Sequence, residues 1–179
     1  MHLEQTYANN LDVGRDHEFI LLAYGDESVT EFAKQFYGRN KFHYYYTNAE
    51  WYHMSRAKNI AHRLGTGDFL FCLDADTYIY PPMIDAVLKC KGFISHPYAR
   101  QVVFGMPRQA YYDAGGYDER INGWGSEDVV MAGRLKDLGY VCEQSPEDSC
   151  KIIPHDDFIR HRSYEPQYRP DWVNKKLGV

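Results

Sequence analysis

The chain of 179 residues has no apolar run of roughly 18 or more residues, which excludes a membrane-spanning helix. Its first residues, MHLEQTYANN, lack the charged-then-apolar order of a secretory signal, so the expected location is the cytoplasm. The four cysteines (Cys72, Cys90, Cys142, Cys150) form no C-x-x-C pair, and neither a zinc knuckle nor a redox motif is indicated. Pairing of Cys142 with Cys150 stays open for an oxidising compartment; reduced thiols are the simpler reading. Basic charge is scarce. Twenty Lys and Arg stand against 25 Asp and Glu, a net charge of −5, which argues against a nucleic-acid-binding surface and suits acidic groups that hold a cation. Internal repeats, low-complexity tracts and linkers are absent, so residues 1–179 read as a single domain.

What is abundant is aromatic: 16% of the residues, with 16 tyrosines. Most belong to a core, but tyrosine and tryptophan also offer an apolar face with a polar tip to sugars or bases. Strand-like and helix-like segments alternate. EFILLAY (18–24) is a short apolar run of the kind buried on both faces, and SVTEFAKQFYG (28–38) has helical spacing and stops at glycine. KFHYYYT (41–47) is strand-like, WYHMSRAKNIAHRLG (51–65) helical, and DFLFCLDAD (68–76) a strand running into acids. PPMIDAVLKC follows as a helix with proline at its start, then QVVFGMP (101–107) as a strand, with RQAYYDAGG (108–116) and SEDVVMAGRLKDLG (126–139) as helices. The order implies an α/β fold with a mixed, mostly parallel sheet flanked by helices, in the Rossmann manner. Ligands of such sheets sit beyond the carboxyl ends of the strands.

Three segments carry chemistry. In LDAD, residues two apart on a strand face one way, so Asp74 and Asp76 can meet one hard divalent cation; the alternative is a solvated turn after a core strand. In GWGSEDVV, Ser126 reads as a helix N-cap with Glu127 and Asp128 in the first turn. That leaves Trp124 between two glycines unexplained; glycines let a backbone approach a ligand closely, and a carboxylate fixed at a helix start can serve as a general base. In PHDDFIRH, His155 matters as a metal ligand only if it folds back toward Asp76.

Together these segments resemble the nucleotide-sugar-dependent glycosyltransferases of the GT-A fold. SRAKNIAHRLGTGDFLFCLDADT looks like the helix and strand leading into their D-x-D motif. GMPRQAYYDAGGYDERINGWGSEDVVMAGRLKDLGY resembles the acceptor-side segment of beta-1,4-galactosyltransferases and of the galactosyltransferase-like domain of polypeptide N-acetylgalactosaminyltransferases. The resemblance runs from about Arg56 to His155. It implies a metal, Mn²⁺ or Mg²⁺, held by Asp76, His155 and Asp74, with Asp74 and Arg56 beside the nucleotide. It further implies Trp124, Gly125 and Glu127 at the sugar and acceptor, and Asp128 as catalytic base. The acid pair Glu127-Asp128 resembles the inverting branch.

The implied activity is transfer of a sugar from a nucleotide-sugar, a UDP-sugar by preference, to a hydroxyl of a glycan, lipid, protein or small molecule. Relatives of this kind open with a nucleotide-binding strand placed before the segment seen here, so an N-terminally truncated version of the fold is expected. The sheet edge left by that strand offers a route to a homo-oligomer. Two other readings stand beside this one: a non-catalytic GT-A domain that binds a sugar or partner protein, and a nucleotidyltransferase. The latter gives no reason for Trp124 and lacks a glycine-rich phosphate loop near the N-terminus.

Overall fold

The computed structural model describes residues 2–13, 17–39, 41–97, 103–123, 125–154, 156, 158 and 161–178. Helix α1 (His2–Asp12) precedes β1 (Phe19–Tyr24), α2 (Ser28–Lys34), β2 (Phe42–Thr47), α3 (Met54–Leu64) and β3 (Phe69–Leu73). The apolar run FILLAY forms β1, which pairs with β2 in parallel from Phe19 opposite Phe42 to Tyr24 opposite Thr47. A parallel pair needs a crossover, and α2 supplies it.

Beyond β3 the chain makes shorter strands: β4 (Thr77–Ile79), β5 (Phe93–Ser95), β6 (Val103–Pro107), β7 (Cys142–Gln144) and β8 (Cys150–Ile152). Helix α4 (Pro81–Lys89) separates β4 from β5; α5 (Arg108–Asp113) and α6 (Glu127–Asp137) separate β6 from β7; α7 (Asp171–Leu177) comes last. The second sheet runs β3-β6-β5-β7, and β4 pairs with β8. The α/β class with flanking helices is as expected, and the pairing is mixed: β5–β7 is parallel like β1–β2, whereas β3–β6, β5–β6 and β4–β8 are antiparallel. The antiparallel share exceeds the mostly parallel expectation. Much of it rests on strands of three residues, β4, β5 and β8, too short to show a hydrophobic period.

Three apolar clusters hold these layers. One joins Leu70, Phe104, Met106 and Phe93 of the second sheet to Tyr111 of α5 and Met131 and Leu135 of α6. Another, of Ile79, Met83 and Val103, sits under α4. The third lies between α1, α2 and the β1–β2 pair, with Tyr7 at its centre. The Tyr7 ring meets Phe19, Phe32, Phe36 and Phe42 edge-on, at centroid distances of 4.6 to 5.6 Å.

The Tyr7 hydroxyl is buried without a hydrogen-bond partner, and burial pushes its pKa up. The apolar ring therefore stabilises this cluster while the oxygen costs. Replacing Tyr7 with Phe is expected to leave stability unchanged or raise it by up to about 1 kcal/mol in urea unfolding, whereas Tyr7→Ala lowers it by about 3–5 kcal/mol. A clear loss in Tyr7→Phe would contradict this account of the cluster.

Candidate functional site

Strand β3 ends at Leu73, paired with Val103, so Asp74 and Asp76 stand in the turn between β3 and β4 rather than on a strand. The expectation that strand alternation aligns them is corrected accordingly: they belong to a hydrogen-bonded turn, not to a strand. Thr77 donates its N–H to the Asp74 carbonyl at 3.1 Å, closing the turn. From α1, the Thr6 hydroxyl donates to the carbonyl of Ala75, between the two acids, at 2.7 Å. Asn10 of the same helix grips β4 twice, donating to the Thr77 carbonyl and accepting from the Ile79 N–H. On the far side Ile153 donates to the Asp76 carbonyl at 2.8 Å. The polar face of α1 thus clamps the acidic turn to the sheet.

Glu127 and Asp128 open α6, yet they are not a solvated first turn. Both are only 4% exposed. Ser126 is not the N-cap expected of it: its backbone is left-handed, with φ of 75°, and its side chain makes no capping hydrogen bond. Its carbonyl still accepts the first helical N–H, from Val130. A left-handed serine is a strained conformation, retained where surrounding structure fixes it. The two residues that follow it are held by Lys58. The Lys58 ammonium lies 2.8 Å from Glu127 Oε1 and 2.7 Å from Asp128 Oδ2, all three side chains buried. Glu127 Oε2 and Asp128 Oδ1 are buried without a hydrogen-bond partner.

Sequence reasoning missed Lys58, although a signal was present. The face of α3 at spacing i, i+3, i+4, i+7 reads Ser55, Lys58, Asn59, His62, a polar set where a core helix normally carries its apolar stripe. All four are buried. Asn59 donates to the Tyr117 carbonyl and Glu119 carboxylate and accepts from the Tyr111 hydroxyl and Tyr117 N–H. Gly116, at φ of 76°, is where the chain passes this amide; a Cβ there would come within 2.9 Å of Asn59 Oδ1. His62 donates from Nδ1 to the Lys58 carbonyl and stacks on Tyr111, and burial holds its pKa down at about 4. Arg134 of α6 completes the tie by donating to the Gly116 carbonyl and to Asp118.

A cleft of about 350 Å³ opens beside the carboxyl ends of β1 and β2, lined by Tyr24, Thr47, Trp51, Tyr52, Arg56, Gly123 and Tyr168 among others. Arg56 therefore stands where strand-end ligands bind. It is more than half exposed and touches Glu119 at 3.4 Å. Tyr52 links this cleft to the acids: burial raises its pKa, and Asp74 and Lys58 both lie within electrostatic range. Gly125 has φ of 88° and open space where a Cβ would stand. Trp124 and His155 lie outside the described residues.

The electrostatics bring the two acidic segments together. Burial pushes Asp74 up to about 7, with Asp76, Asp128 and Glu127 adding to the shift and Lys58 opposing it. Burial likewise raises Asp128 to about 6; Glu127 adds to this and Lys58 works against it. Lys58 itself stays charged: burial opposes this, but Cys72, Tyr117, Asp128 and Glu127 outweigh it and hold its pKa well above the ordinary lysine value. Two carboxylates thus share one ammonium, and Asp74 lies within electrostatic range of all three. Among the described residues no group of three or more His, Cys, Asp or Glu is arranged to hold a metal.

This arrangement of sheets and helices recurs in solved structures. A mannosyltransferase from Pyrobaculum calidifontis in complex with GDP-Man and Mn²⁺ superposes with a TM-score of 0.67 at 17% identity, covering 86% of this chain and 53% of its own. GalNAc-T7 with UDP, GalNAc and Mn²⁺ gives 0.69 at 13%, covering 86% and 41%. The Drosophila beta-1,4-galactosyltransferase 7 mutant with manganese, UDP-Gal and xylobiose gives 0.56 at 14%, covering 83% and 76%. The fold is that of the GT-A glycosyltransferases. The chain spans about half the length of the mannosyltransferase and less of GalNAc-T7. No protein-family model matches the sequence, and no curated protein matches it either. Within this fold Asp74 lies in electrostatic range of Asp76, Glu127 and Asp128, and Arg56 lines the cleft at the ends of β1 and β2. Among the described residues no helix is long and apolar enough to cross a membrane.

The raised acids make a stability prediction. A carboxyl whose folded pKa exceeds its unfolded value binds more protons when folded, so stability falls as pH rises through the window between the two. His62 acts in the opposite sense below its ordinary value of 6.5. Between about pH 6.5 and 8 the fall comes mainly from Asp74, with Asp128 adding to it at the lower end, and the thermal midpoint of chelator-treated protein is expected to fall with rising pH. Asp74→Asn is expected to flatten that fall; an equally steep fall in the variant would remove Asp74 as its source.

Proposed function

We propose that residues 1–179 form one GT-A domain that works as a metal-dependent, inverting glycosyltransferase. It moves a sugar from a nucleotide-sugar, a UDP-sugar, to a hydroxyl of a glycan, lipid, protein or small molecule. The observation that carries this reading is the buried Lys58 ammonium held by Glu127 and Asp128, each with one oxygen left without a hydrogen-bond partner, with Asp74 within electrostatic range of all three. Two acids raised in pKa, Asp74 and Asp128, support a site that meets a cation and a substrate hydroxyl.

Asp76 and Asp74, joined by His155, are the residues for the cation, Mn²⁺ or Mg²⁺, which when bound supplies charge stabilisation to the leaving nucleoside diphosphate. The neighbouring mannosyltransferase, galactosyltransferase and GalNAc-T7 structures carry manganese with their nucleotides, which supports this choice. Arg56 and Asp74 border the nucleotide in the cleft. Gly125 and Trp124 border the sugar, with Glu127 accepting a sugar hydroxyl through Oε2. Asp128 takes the acceptor's proton on Oδ1 as that oxygen forms its bond to the anomeric carbon. The bond from that carbon to the diphosphate oxygen breaks on the opposite face, and a single displacement inverts the centre. Closure of the glycine-flanked loop excludes water that would hydrolyse the donor.

A second reading, a non-catalytic GT-A domain, stands on the finding that among the described residues no three His, Cys, Asp or Glu are grouped to hold a metal. Calorimetric titration of UDP with Mn²⁺ and with chelator separates the two. Binding is expected with Mn²⁺, lost with chelator and in Asp76→Ala. Asp128→Asn is expected to bind UDP as wild type does and to lose sugar transfer by about 100-fold or more. Folded protein that binds no UDP in any condition contradicts the enzyme reading.

A further inference from the structure

Lys58 does more than neutralise charge. It is the sole cation within 4 Å of Glu127 or Asp128 among the described residues, and it contacts one oxygen of each: Oε1 of Glu127 and Oδ2 of Asp128. The other oxygen of each carboxylate is buried without a hydrogen-bond partner, and the buried Tyr117 hydroxyl lies close enough to Asp128 to favour its charged form. A carboxylate is planar, so a donor fixed on one oxygen also fixes where the second one points. The ammonium therefore divides two acids into a held half and a free half. Its own seat is firm: the Lys58 carbonyl is bonded to His62, the next residue Asn59 makes four hydrogen bonds to the 111–119 segment, and the ammonium lies 5.3 Å from the Tyr117 ring centroid.

We propose that Lys58 is the positioning residue of this site: it orients Asp128 so that Oδ1 receives the acceptor's proton, and orients Glu127 so that Oε2 receives a sugar hydroxyl. This inference rests on the glycosyltransferase reading. A second consequence follows from the sharing. Because one ammonium serves both acids, the free oxygens move together, and displacing Lys58 misplaces base and sugar contact at once. Lys58 lies on α3, the helix whose residue Arg56 lines the cleft, so the orientation of the acids is coupled to the element that borders the nucleotide.

The test is turnover per folded molecule, read as UDP release from UDP-galactose, UDP-glucose and UDP-N-acetylgalactosamine with Mn²⁺, with and without methyl glycosides as acceptors. Lys58→Met keeps the length of the side chain and removes the donor. Its kcat is expected to fall about 100-fold while the Kd for UDP with Mn²⁺ stays within about threefold of wild type. A purely structural lysine would lower the folded fraction and leave kcat per folded molecule intact, and that result overturns the proposal. Should Lys58→Met fail to fold, Lys58→Arg keeps the buried charge but replaces one point donor by a planar fork. It is expected to bind UDP normally with kcat reduced about tenfold; wild-type kcat in this variant also overturns the proposal. Wild-type protein that releases no UDP from any of these donors defeats the glycosyltransferase reading itself. Active wild type with active variants defeats only the role of Lys58.

Discussion

The buried contact of one ammonium with two carboxylates is the interaction on which the rest of this structure depends. It joins α3 to the start of α6 across nearly seventy residues of sequence. Desolvating three charges is expensive, and such clusters are kept where their geometry serves something beyond stability. Around it the polar face of α3 is satisfied bond by bond: Asn59 with the turn at Gly116, His62 on Tyr111, Arg134 returning from α6 to the same turn. The left-handed Ser126 stands immediately before the two acids, at the first step of a helix that would ordinarily expose them.

The second half of the site is held by a different device. Helix α1 uses Thr6, Asn9 and Asn10 to hold the Asp74–Asp76 turn and β4, and the backbone at Ile153 closes the other side. Neither acid needs a regular strand. The two halves meet electrostatically at Asp74, whose carboxyl feels Asp76, Asp128, Glu127 and Lys58 together. An aromatic cleft opens at the ends of β1 and β2, where Arg56 lines it.

How much of this was legible in the sequence depended on length and on polarity. The long periodic segments, such as FILLAY, SRAKNIAHRL and EDVVMAGRLKD, announced their elements, and the acids of LDAD and GWGSEDVV announced the site. Three-residue strands such as β4, β5 and β8 carry too few residues for a period. Ser126 does stand at the N-cap position, but its left-handed backbone leaves its side chain without a capping bond, which spacing along the sequence does not show. Lys58 was overlooked because a lysine is presumed exposed, and only the surrounding stripe of Ser55, Asn59 and His62 marks that face as a polar interior. Trp124 and His155 lie outside the described residues, and their roles stay with the resemblance that suggested them.

The central claim is that the two acidic segments form a single site around a divalent cation. Anomalous-difference diffraction from crystals grown with Mn²⁺ and UDP addresses it most directly. The account predicts one manganese peak, beside both Asp74 and Asp76, with the UDP diphosphate on its open side and Asp128 facing the same space. A manganese peak elsewhere, or UDP bound in the cleft with no metal at this turn, would contradict it.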